Sequence, residues 1–401
     1  LRAQTVGDQL IESTEGKARV VALSMKARSA ALSAGRNPTA VVFYDTVARG
    51  LTTSTYYAPK KRLPDWLRDF NAANPVEPLL QVWEPEDPAR WEKHFGPDAR
   101  PGEIYPAFPH DPNQADDPYY AFSSMPESSE YLIAAAYAVV KAERMGLDEA
   151  PDLLVLGVSG TDIVGHIWGA RSWEYADNLA RIDRALTRFA RMLESRGPVA
   201  FVLTADHGVA DMPERAAQDG ESGGRINGGA LVETAEAAAD QALGDGDWIA
   251  GYVSPLITYT DAGKARRKEL TKALEKALPN LEGIRAIYDA TEGPSLRGAN
   301  TDVERWIGAN LPDDPPGDAY VLTEPGWFDS LSADGGTNHG TPWDYDRQVP
   351  VLMWGTAIER RTSDDVKDVL RVAASLAALL DIPPPEGAAT QPLPGVMRLP
   401  D

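Results

Sequence analysis

Short apolar runs recur along the chain, and longer segments with helical spacing separate them. The runs at residues 153–158, 199–204 and 349–354 are almost unbroken, which is typical of parallel strands covered on both faces. Two further runs, at residues 18–25 and 40–44, also predict strands. The pattern therefore indicates a sheet whose strands lie inside the molecule.

Helices are predicted between and after these strands. Residues 172–196 carry apolar side chains three and four positions apart and end before Gly197. Residues 128–145 and 363–380 predict two further helices. Alternation of apolar strands with helices predicts an α/β fold with a doubly wound, mostly parallel central sheet flanked by helices.

Two stretches interrupt this alternation. Residues from about 50 to 127 are rich in Pro, Trp and acidic side chains. Residues from about 209 to 335 mix helices with short strands, predicted at 249–253 and 284–287. We interpret both stretches as insertions that cap the sheet rather than extend it, within a single domain of residues 1–401.

Composition excludes several classes of function. The chain has 401 residues, a net charge of −21 and no cysteine. A nucleic-acid partner is not expected, because binding to phosphate backbones requires a basic surface. Disulfides and thiolate metal sites are excluded, and no apolar run is long enough for a transmembrane segment. A small phosphorylated substrate remains compatible, since a local cationic site can overcome the global charge.

Three of the five histidines lie in short clusters with aspartate or glycine. Asp162 and His166 follow the predicted strand at 153–158, and Asp206 and His207 follow the strand at 199–204. The third cluster is the Gly-rich loop around His339. Ligands bind outside the carboxyl ends of strands in open α/β sheets, so the first two clusters lie where a site is expected.

Two carboxylates and three imidazoles form a donor set for divalent metals, with zinc as the first candidate. Asp162 and His166 would share one face of a helical turn. Asp206 and His207 can both reach a metal if the backbone turns at Gly208. A lone Asp or His after a strand is usually a turn former or cap, so only the joint pattern favours ligands. His94 and His110 are interpreted as surface or packing residues.

The clusters carry a family resemblance. Thr161-Asp162-x-x-Gly165-His166, Thr204-Ala205-Asp206-His207-Gly208 and His339-Gly340-Thr341-Pro342 resemble the alkaline phosphatase superfamily, which includes alkaline phosphatases and nucleotide pyrophosphatase/phosphodiesterases. The resemblance implies two zinc ions that assist phosphoryl transfer. It assigns Asp162, His166 and His339 to one zinc, and Asp206 and His207 to the second.

A further segment narrows the resemblance, which extends over about residues 1–380. Ser24-Met25-Lys26-Ala27-Arg28 resembles the Ser-x-Lys-x-Arg segment of PafA-like alkaline phosphatases. There the Lys and Arg contact the phosphoryl oxygens, which implies catalytic and substrate-binding roles for Lys26 and Arg28. A phosphate monoester carries about two negative charges, so two cations favour it over a diester. The alternative is an idle basic pair at a helix start, which the helix dipole opposes.

The same resemblance implies elements that cannot be assigned in this sequence. They are a strand bearing an Asp ligand of the second metal, a Thr or Ser nucleophile and a phosphate-binding Asn. We expect them in a segment before Leu1, so that the chain is N-terminally truncated, its second zinc site is incomplete and its turnover is impaired. The resemblance also implies a periplasmic or secreted enzyme.

The leading hypothesis is a hydrolase of small phosphate monoesters that acts through a phosphoenzyme. The alternatives are a phosphodiesterase or nucleotide pyrophosphatase of the same superfamily, or an inactive metal-binding fragment. A sulfatase or a phosphosugar mutase is less favoured. The sequence indicates neither the natural substrate nor an oligomeric state.

Overall fold

The computed structural model describes residues 3–58, 61–329, 335–364, 367–389 and 391–397. The strands in these ranges are β1 (Val20–Ser24), β2 (Ala40–Asp45), β3 (Gly50–Thr52), β4 (Leu153–Gly157), β5 (Ala200–Leu203), β6 (Gly224–Ile226), β7 (Ile249–Val253), β8 (Leu256–Tyr259), β9 (Ile284–Asp289), β10 (Ala319–Thr323), β11 (Trp327–Asp329) and β12 (Leu352–Gly355). The α-helices in the same ranges are α1 (Val6–Ser13), α2 (Ala27–Ala34), α3 (Asp65–Ala73), α4 (Pro88–Phe95), α5 (Pro118–Ala121), α6 (Pro126–Ala142), α7 (Gly160–Trp168), α8 (Trp173–Glu194), α9 (Pro213–Gln218), α10 (Gly228–Leu243), α11 (Asp261–Ala265), α12 (Arg267–Ala277), α13 (Gly293–Leu296), α14 (Asp302–Asn310), α15 (Asp344–Arg347) and α16 (Arg371–Leu379).

The main sheet has the strand order β3-β2-β1-β4. Its central strand, β1, pairs in parallel with β2 on one side and β4 on the other, so that Leu23 lies opposite both Val42 and Leu156. Every residue of β1 is buried. The short strand β3 pairs antiparallel with β2 at the sheet edge. The predicted parallel core is therefore confirmed.

Helices cover both faces of this sheet. Val21 and Leu23 of β1 pack on one face in an apolar cluster with α3, α6 and α8. Ala22 lies on the other face, against Ala30 and Ala34 of α2. Each large aliphatic side chain buried in this way stabilises the fold by about 1.5–3 kcal/mol. This arrangement confirms the predicted doubly wound α/β class.

Strand β12 departs from the prediction. It pairs antiparallel with β5, in a ladder separate from the main sheet, rather than in parallel. Phe201 of β5 stacks on Trp354 of β12, with ring centroids 4.6 Å apart. The side chains of Leu203, Leu352 and Trp354 are nevertheless 42%, 55% and 39% exposed. An apolar run thus predicted a strand correctly but did not fix its direction.

The two insertions differ in their relation to the sheet. The first begins with β3, which extends the main sheet by one strand, so the expectation that this stretch only caps the sheet was wrong. The second contains an antiparallel sheet, β7-β8-β10-β9, packed on α10 and α12. Residues 330–334 of the second insertion lie outside the described residues.

The predicted helices are shorter in the structure. The segment predicted at 363–380 is helical only as α16, and its residues 365 and 366 lie outside the described ranges. Val369 and Leu370, just before α16, are exposed and therefore lack the apolar contacts that stabilise a helix. None of the helices in the described ranges combines the length and hydrophobicity that crossing a bilayer requires.

A buried polar network joins the first insertion to α8. The Nε2 atom of His110 lies 2.8 Å from Oε1 of Glu174, and both side chains are buried. The carboxylate of Asp177 accepts the indole N–H groups of Trp83 and Trp91. His110 is thus a packing residue, as predicted.

Replacing Glu174 with Gln should make the free energy of unfolding fall less steeply as pH rises. Burial raises the pKa of Glu174 to about 8, above its unfolded value. A carboxyl group whose pKa is higher in the folded than in the unfolded state stabilises the fold fully at pH values below its unfolded-state pKa. This contribution is lost as pH rises through the folded-state pKa. Between pH 6.5 and 8 the free energy of unfolding of the wild type should fall relative to the variant by about 1 kcal/mol per pH unit.

Chemical denaturation across this pH range measures the effect. Burial lowers the pKa of His110 to about 4, so His110 does not titrate in this window. The exposed Glu149 offers a matched control, since Glu149→Gln should leave the wild-type slope unchanged. Parallel pH profiles for the wild type and Glu174→Gln would show that Glu174 is not perturbed by burial.

Candidate metal centre

Helix α7 places Asp162 and His166 on one face, as predicted. The helix begins three residues after β4, and a Cβ at Gly160 would lie 2.9 Å from Oγ of Ser129 on α6, so the two helices are in close contact. Oδ1 of Asp162 lies 3.4 Å from Nε2 of His166. The Nδ1 atom of His166 is hydrogen-bonded to the carbonyl of Thr337, at 2.9 Å.

The loop after β5 carries Asp206 and His207. Its Gly208 donates its N–H to the carbonyl of Asp346 at 2.7 Å. A Cβ at Gly208 would lie only 2.0 Å from the carbonyl oxygen of Tyr345, so no larger residue fits. Glycine is therefore required here by close backbone contact, and its φ does not lie in the left-handed region.

The third loop carries His339 and is held from several sides. Thr337 Oγ1 donates to the carbonyl of Ala210 at 2.7 Å, which ties this loop to the segment after His207. The guanidinium of Arg225 donates to the carbonyl of Gly336 and also binds Glu214. These contacts position His339 through residues that carry no recognisable sequence motif.

All three clusters converge on Asp162. Its Oδ1 atom lies 3.3 Å from Nε2 of His339, 3.4 Å from Nε2 of His166 and 3.7 Å from Nε2 of His207. Tetrahedral zinc with bonds of 2.0–2.1 Å to nitrogen or oxygen would place its ligand atoms about 3.3 Å apart. Asp162, His207 and His339 form a group that could hold a metal ion. The donor set and its spacing therefore fit zinc.

The structure places Asp206 differently from the other four candidates. Its side chain is 84% exposed, and Oδ2 lies 3.6 Å from Nε2 of His207. The ring of His207 stacks on that of His339, with centroids 3.4 Å apart. His207 thus belongs to the group around Asp162, and the division of the ligands between two zinc sites remains a prediction.

Lys26 reaches the same centre from the other side. It precedes α2, and its ammonium forms an ion pair with Oδ2 of Asp162. Its backbone N–H donates to Oγ of Ser24, which in turn bonds Oγ of Ser159, before α7. Arg28 lies two residues further on, is exposed and has no ion-pair partner in the part of the chain that the structure describes. The structure therefore brings Lys26, but not Arg28, into contact with the metal-ligand candidates.

Charge at the centre is balanced by these contacts. Burial opposes ionisation of Asp162, but the hydrogen bond with His339 and the ammonium of Lys26 outweigh it, so the pKa of Asp162 lies well below its ordinary value. Burial lowers the pKa of His166, against the hydrogen bond to Thr337. An ionised carboxylate and a neutral imidazole are the protonation states that metal ligation requires.

Asp346 is a buried residue of the centre that the sequence did not single out. Its side chain is 3% exposed, and its backbone carbonyl accepts from Gly208. It lies seven positions after His339, on α15, and that spacing belongs to no recognisable ligand motif. No pattern in the sequence could have identified it.

Comparison with known proteins finds a family model and relatives that match most of the chain. The family model described as Type I phosphodiesterase / nucleotide pyrophosphatase matches residues 13–339. The alkaline phosphatase PhoV of Synechococcus elongatus is 27% identical over 97% of this chain and 72% of its own length. The alkaline phosphatase PafA of Elizabethkingia meningoseptica is 27% identical over 99% of this chain and 75% of its own length.

The fold gives the same result. The crystal structure of wild-type alkaline phosphatase PafA superimposes with a TM-score of 0.87 at 26% identity, and the match covers 98% of this chain and 78% of that one. The chain therefore spans about three quarters of the length of these relatives. The chain belongs to the Type I phosphodiesterase / nucleotide pyrophosphatase family, as a PafA-like member of the alkaline phosphatase superfamily.

Proposed function

We propose that the chain carries the metal centre of a phosphate monoester hydrolase that binds two zinc ions and acts through a phosphoenzyme. The observation that carries this proposal is the convergence of His166, His207 and His339 on Asp162, with the ammonium of Lys26 on the same carboxylate. The named alkaline phosphatase relatives support a phosphoryl hydrolase.

Each predicted ligand has a role in this proposal. Asp162, His166 and His339 would hold one zinc, and Asp206 and His207 would contribute to the second. Zinc ions supply Lewis acidity and neutralise charge on the attacking and leaving oxygens of an in-line displacement. The exposure of Asp206 leaves its carboxylate free to turn toward an ion beside His207.

Lys26 and Arg28 would bind the non-bridging oxygens of the substrate. Lys26 is a point charge at the ligand cluster, whereas the planar guanidinium of Arg28 can bind two oxygens at once. Both bonds would strengthen as charge develops on the phosphoryl oxygens in the transition state. The ion pair between Lys26 and Asp162 supports this placement of the cation.

The nucleophile and a further carboxylate ligand are expected from a segment outside residues 1–401. Two features support an additional strand beside this centre. β4 ends the ladder of the main sheet, and the separate pair β5 and β12 exposes Leu203, Leu352 and Trp354. By resemblance to the family, we also propose a periplasmic or secreted location.

The alternative function is hydrolysis of phosphodiesters. The matching family model is named for phosphodiesterases and pyrophosphatases, so family membership alone does not separate the two reactions. A cation in contact with the ligand cluster favours the monoester, which carries about one more negative charge. An inactive metal-binding fragment is the remaining alternative.

Phosphate binding and aryl phosphate hydrolysis by residues 1–401 test the proposal. Zinc-loaded protein should bind inorganic phosphate, and removal of zinc with a chelator should abolish that binding. Hydrolysis of an aryl phosphate should be slow, because the nucleophile is expected elsewhere. Phosphate binding that is indifferent to zinc would contradict the proposed centre, whereas near-normal turnover would contradict only the external nucleophile.

A further inference from the structure

The three histidines of the centre differ in the partners of their Nδ1 atoms. Nδ1 of His166 lies 2.9 Å from the carbonyl of Thr337, and Nδ1 of His207 lies 2.9 Å from the carbonyl of Gly208. His339 faces Asp162 through Nε2, and no partner for its Nδ1 is found within the described ranges. A metal-ligating histidine almost always donates its other ring N–H to an oxygen. His339 therefore requires an acceptor.

Asp346 has an acceptor atom to offer. Its Oδ2 accepts the backbone N–H of Thr341 at 2.8 Å and the hydroxyl of Thr341 at 2.7 Å. Its Oδ1 is buried and has no hydrogen-bond partner among the residues that the structure describes. A buried carboxylate oxygen without a donor is costly, so a fully satisfied centre should supply one.

Oδ1 of Asp346 and Nδ1 of His339, which lack partners among the described residues, belong to the same part of the centre. Thr341, which is fixed to Asp346 by two hydrogen bonds, follows His339 by two residues. The carboxylate of Asp346 interacts electrostatically with the imidazoles of His339 and His207. Its backbone carbonyl also holds the His207 loop through Gly208. Asp346 therefore lies where the two histidine loops meet.

We propose that Asp346 is a positioning residue of the metal centre, whose Oδ1 accepts the Nδ1–H of His339 while Nε2 of His339 binds zinc. This inference rests on the proposed metal centre. A carboxylate acceptor fixes the tautomer and orientation of the ring and makes Nε2 a stronger ligand. The other oxygen of the carboxylate, bound to Thr341, holds the acceptor rigid.

Asp346→Asn tests the role with little change in shape. In Asp346 one carboxylate oxygen accepts from Thr341 and the other would accept from the His339 ring. Asparagine has a single side-chain oxygen, so either Thr341 or His339 loses its acceptor. Zinc affinity, measured by competition with a chelating dye, should fall about 10- to 100-fold. Asp344→Asn is the matched control, because Asp344 lies on the same helix with its side chain 69% exposed. It should bind zinc as the wild type does.

Two further measurements separate positioning from a purely structural role. Thr341→Ala removes one hydrogen bond to Asp346 but keeps the carboxylate, and the backbone N–H of Thr341 still donates to Oδ2. Its zinc affinity should therefore stay much closer to the wild-type value than that of Asp346→Asn. In the zinc-loaded wild type, a slowly exchanging ring N–H signal that His339→Gln removes should be detectable by NMR. Asp346→Asn should shift or remove the same signal.

The outcomes distinguish this inference from the proposed function. Wild-type zinc binding together with unchanged affinity and an unchanged His339 signal in Asp346→Asn would overturn the positioning role alone. Failure of the wild type to bind zinc would overturn the metal centre and the inference with it. If Asp346→Asn and Thr341→Ala lose zinc affinity and metal-free thermal stability in equal measure, Asp346 only joins the loops and the inference is likewise overturned.

Discussion

Replacing Asp162 with Ala should abolish tight zinc binding and, with it, zinc-dependent phosphate binding. Asp162 is the one carboxylate within 3.7 Å of three imidazole nitrogens in the described centre. Its removal leaves His166 and His339 as the ligands proposed for that zinc, beside the ammonium of Lys26, which repels a cation. Loss of an outer-shell partner alone costs about 10- to 100-fold in affinity, so loss of the central ligand should cost at least about 100-fold.

The same change should leave the metal-free protein folded. The substitution removes the hydrogen bond with His339 and the ion pair with Lys26, and the Lys26 side chain, 36% exposed, can turn to water. Partly exposed ion pairs contribute about 1 kcal/mol or less, so the unfolding transition should shift little. Asp116→Asn, at an exposed carboxylate, serves as the control and should retain zinc. Unchanged zinc affinity in Asp162→Ala would contradict the assignment of the centre.

Replacing Lys26 and Arg28 together with Ala should weaken monoester recognition far more than diester recognition. Each cation would make a charge-assisted hydrogen bond worth about 1.5–3 kcal/mol. Their joint loss should reduce the affinity for inorganic phosphate, and the rate of aryl phosphate hydrolysis, by at least about 100-fold, since 1.4 kcal/mol is tenfold. A diester lacks one of the free oxygens and should lose only about tenfold.

Calorimetric titration of zinc-loaded protein with inorganic phosphate and with a dialkyl phosphate measures this ratio without turnover. Lys17→Ala is the control, because Lys17 is exposed. Single variants would assign the contributions, with Lys26 expected to dominate because it already contacts the ligand cluster. Equal losses for the two ligands would favour the phosphodiesterase alternative.

The sequence predicted the core of the fold because local signals were strong there. The buried strand β1 and the amphipathic helix α8 follow directly from apolar spacing. Strand direction did not follow: β12 has the same apolar character as β4 but pairs antiparallel. Direction depends on the connections between strands and on long-range packing, which residue periodicity does not encode.

For the site too, the sequence predicted what depends on local spacing and not what depends on long-range packing. Asp162 and His166 could be placed together from helical spacing, and the structure puts them 3.4 Å apart. The approach of His207 and His339 could not be derived from spacing, because it depends on loops held by distant partners such as Arg225. Asp346 could not be predicted for the same reason, because its contact with Gly208 of the His207 loop depends on how the fold packs α15 against that loop.

The most direct measurement is an anomalous-difference map of a zinc-loaded crystal, recorded at the zinc absorption edge. We expect a peak bonded to Asp162, His166 and His339, and a weaker second peak beside Asp206 and His207. A peak bonded instead to Asp162, His207 and His339 would retain a metal centre but correct the division of its ligands. Absence of any peak at Asp162, with zinc bound elsewhere, would contradict the proposed metal centre.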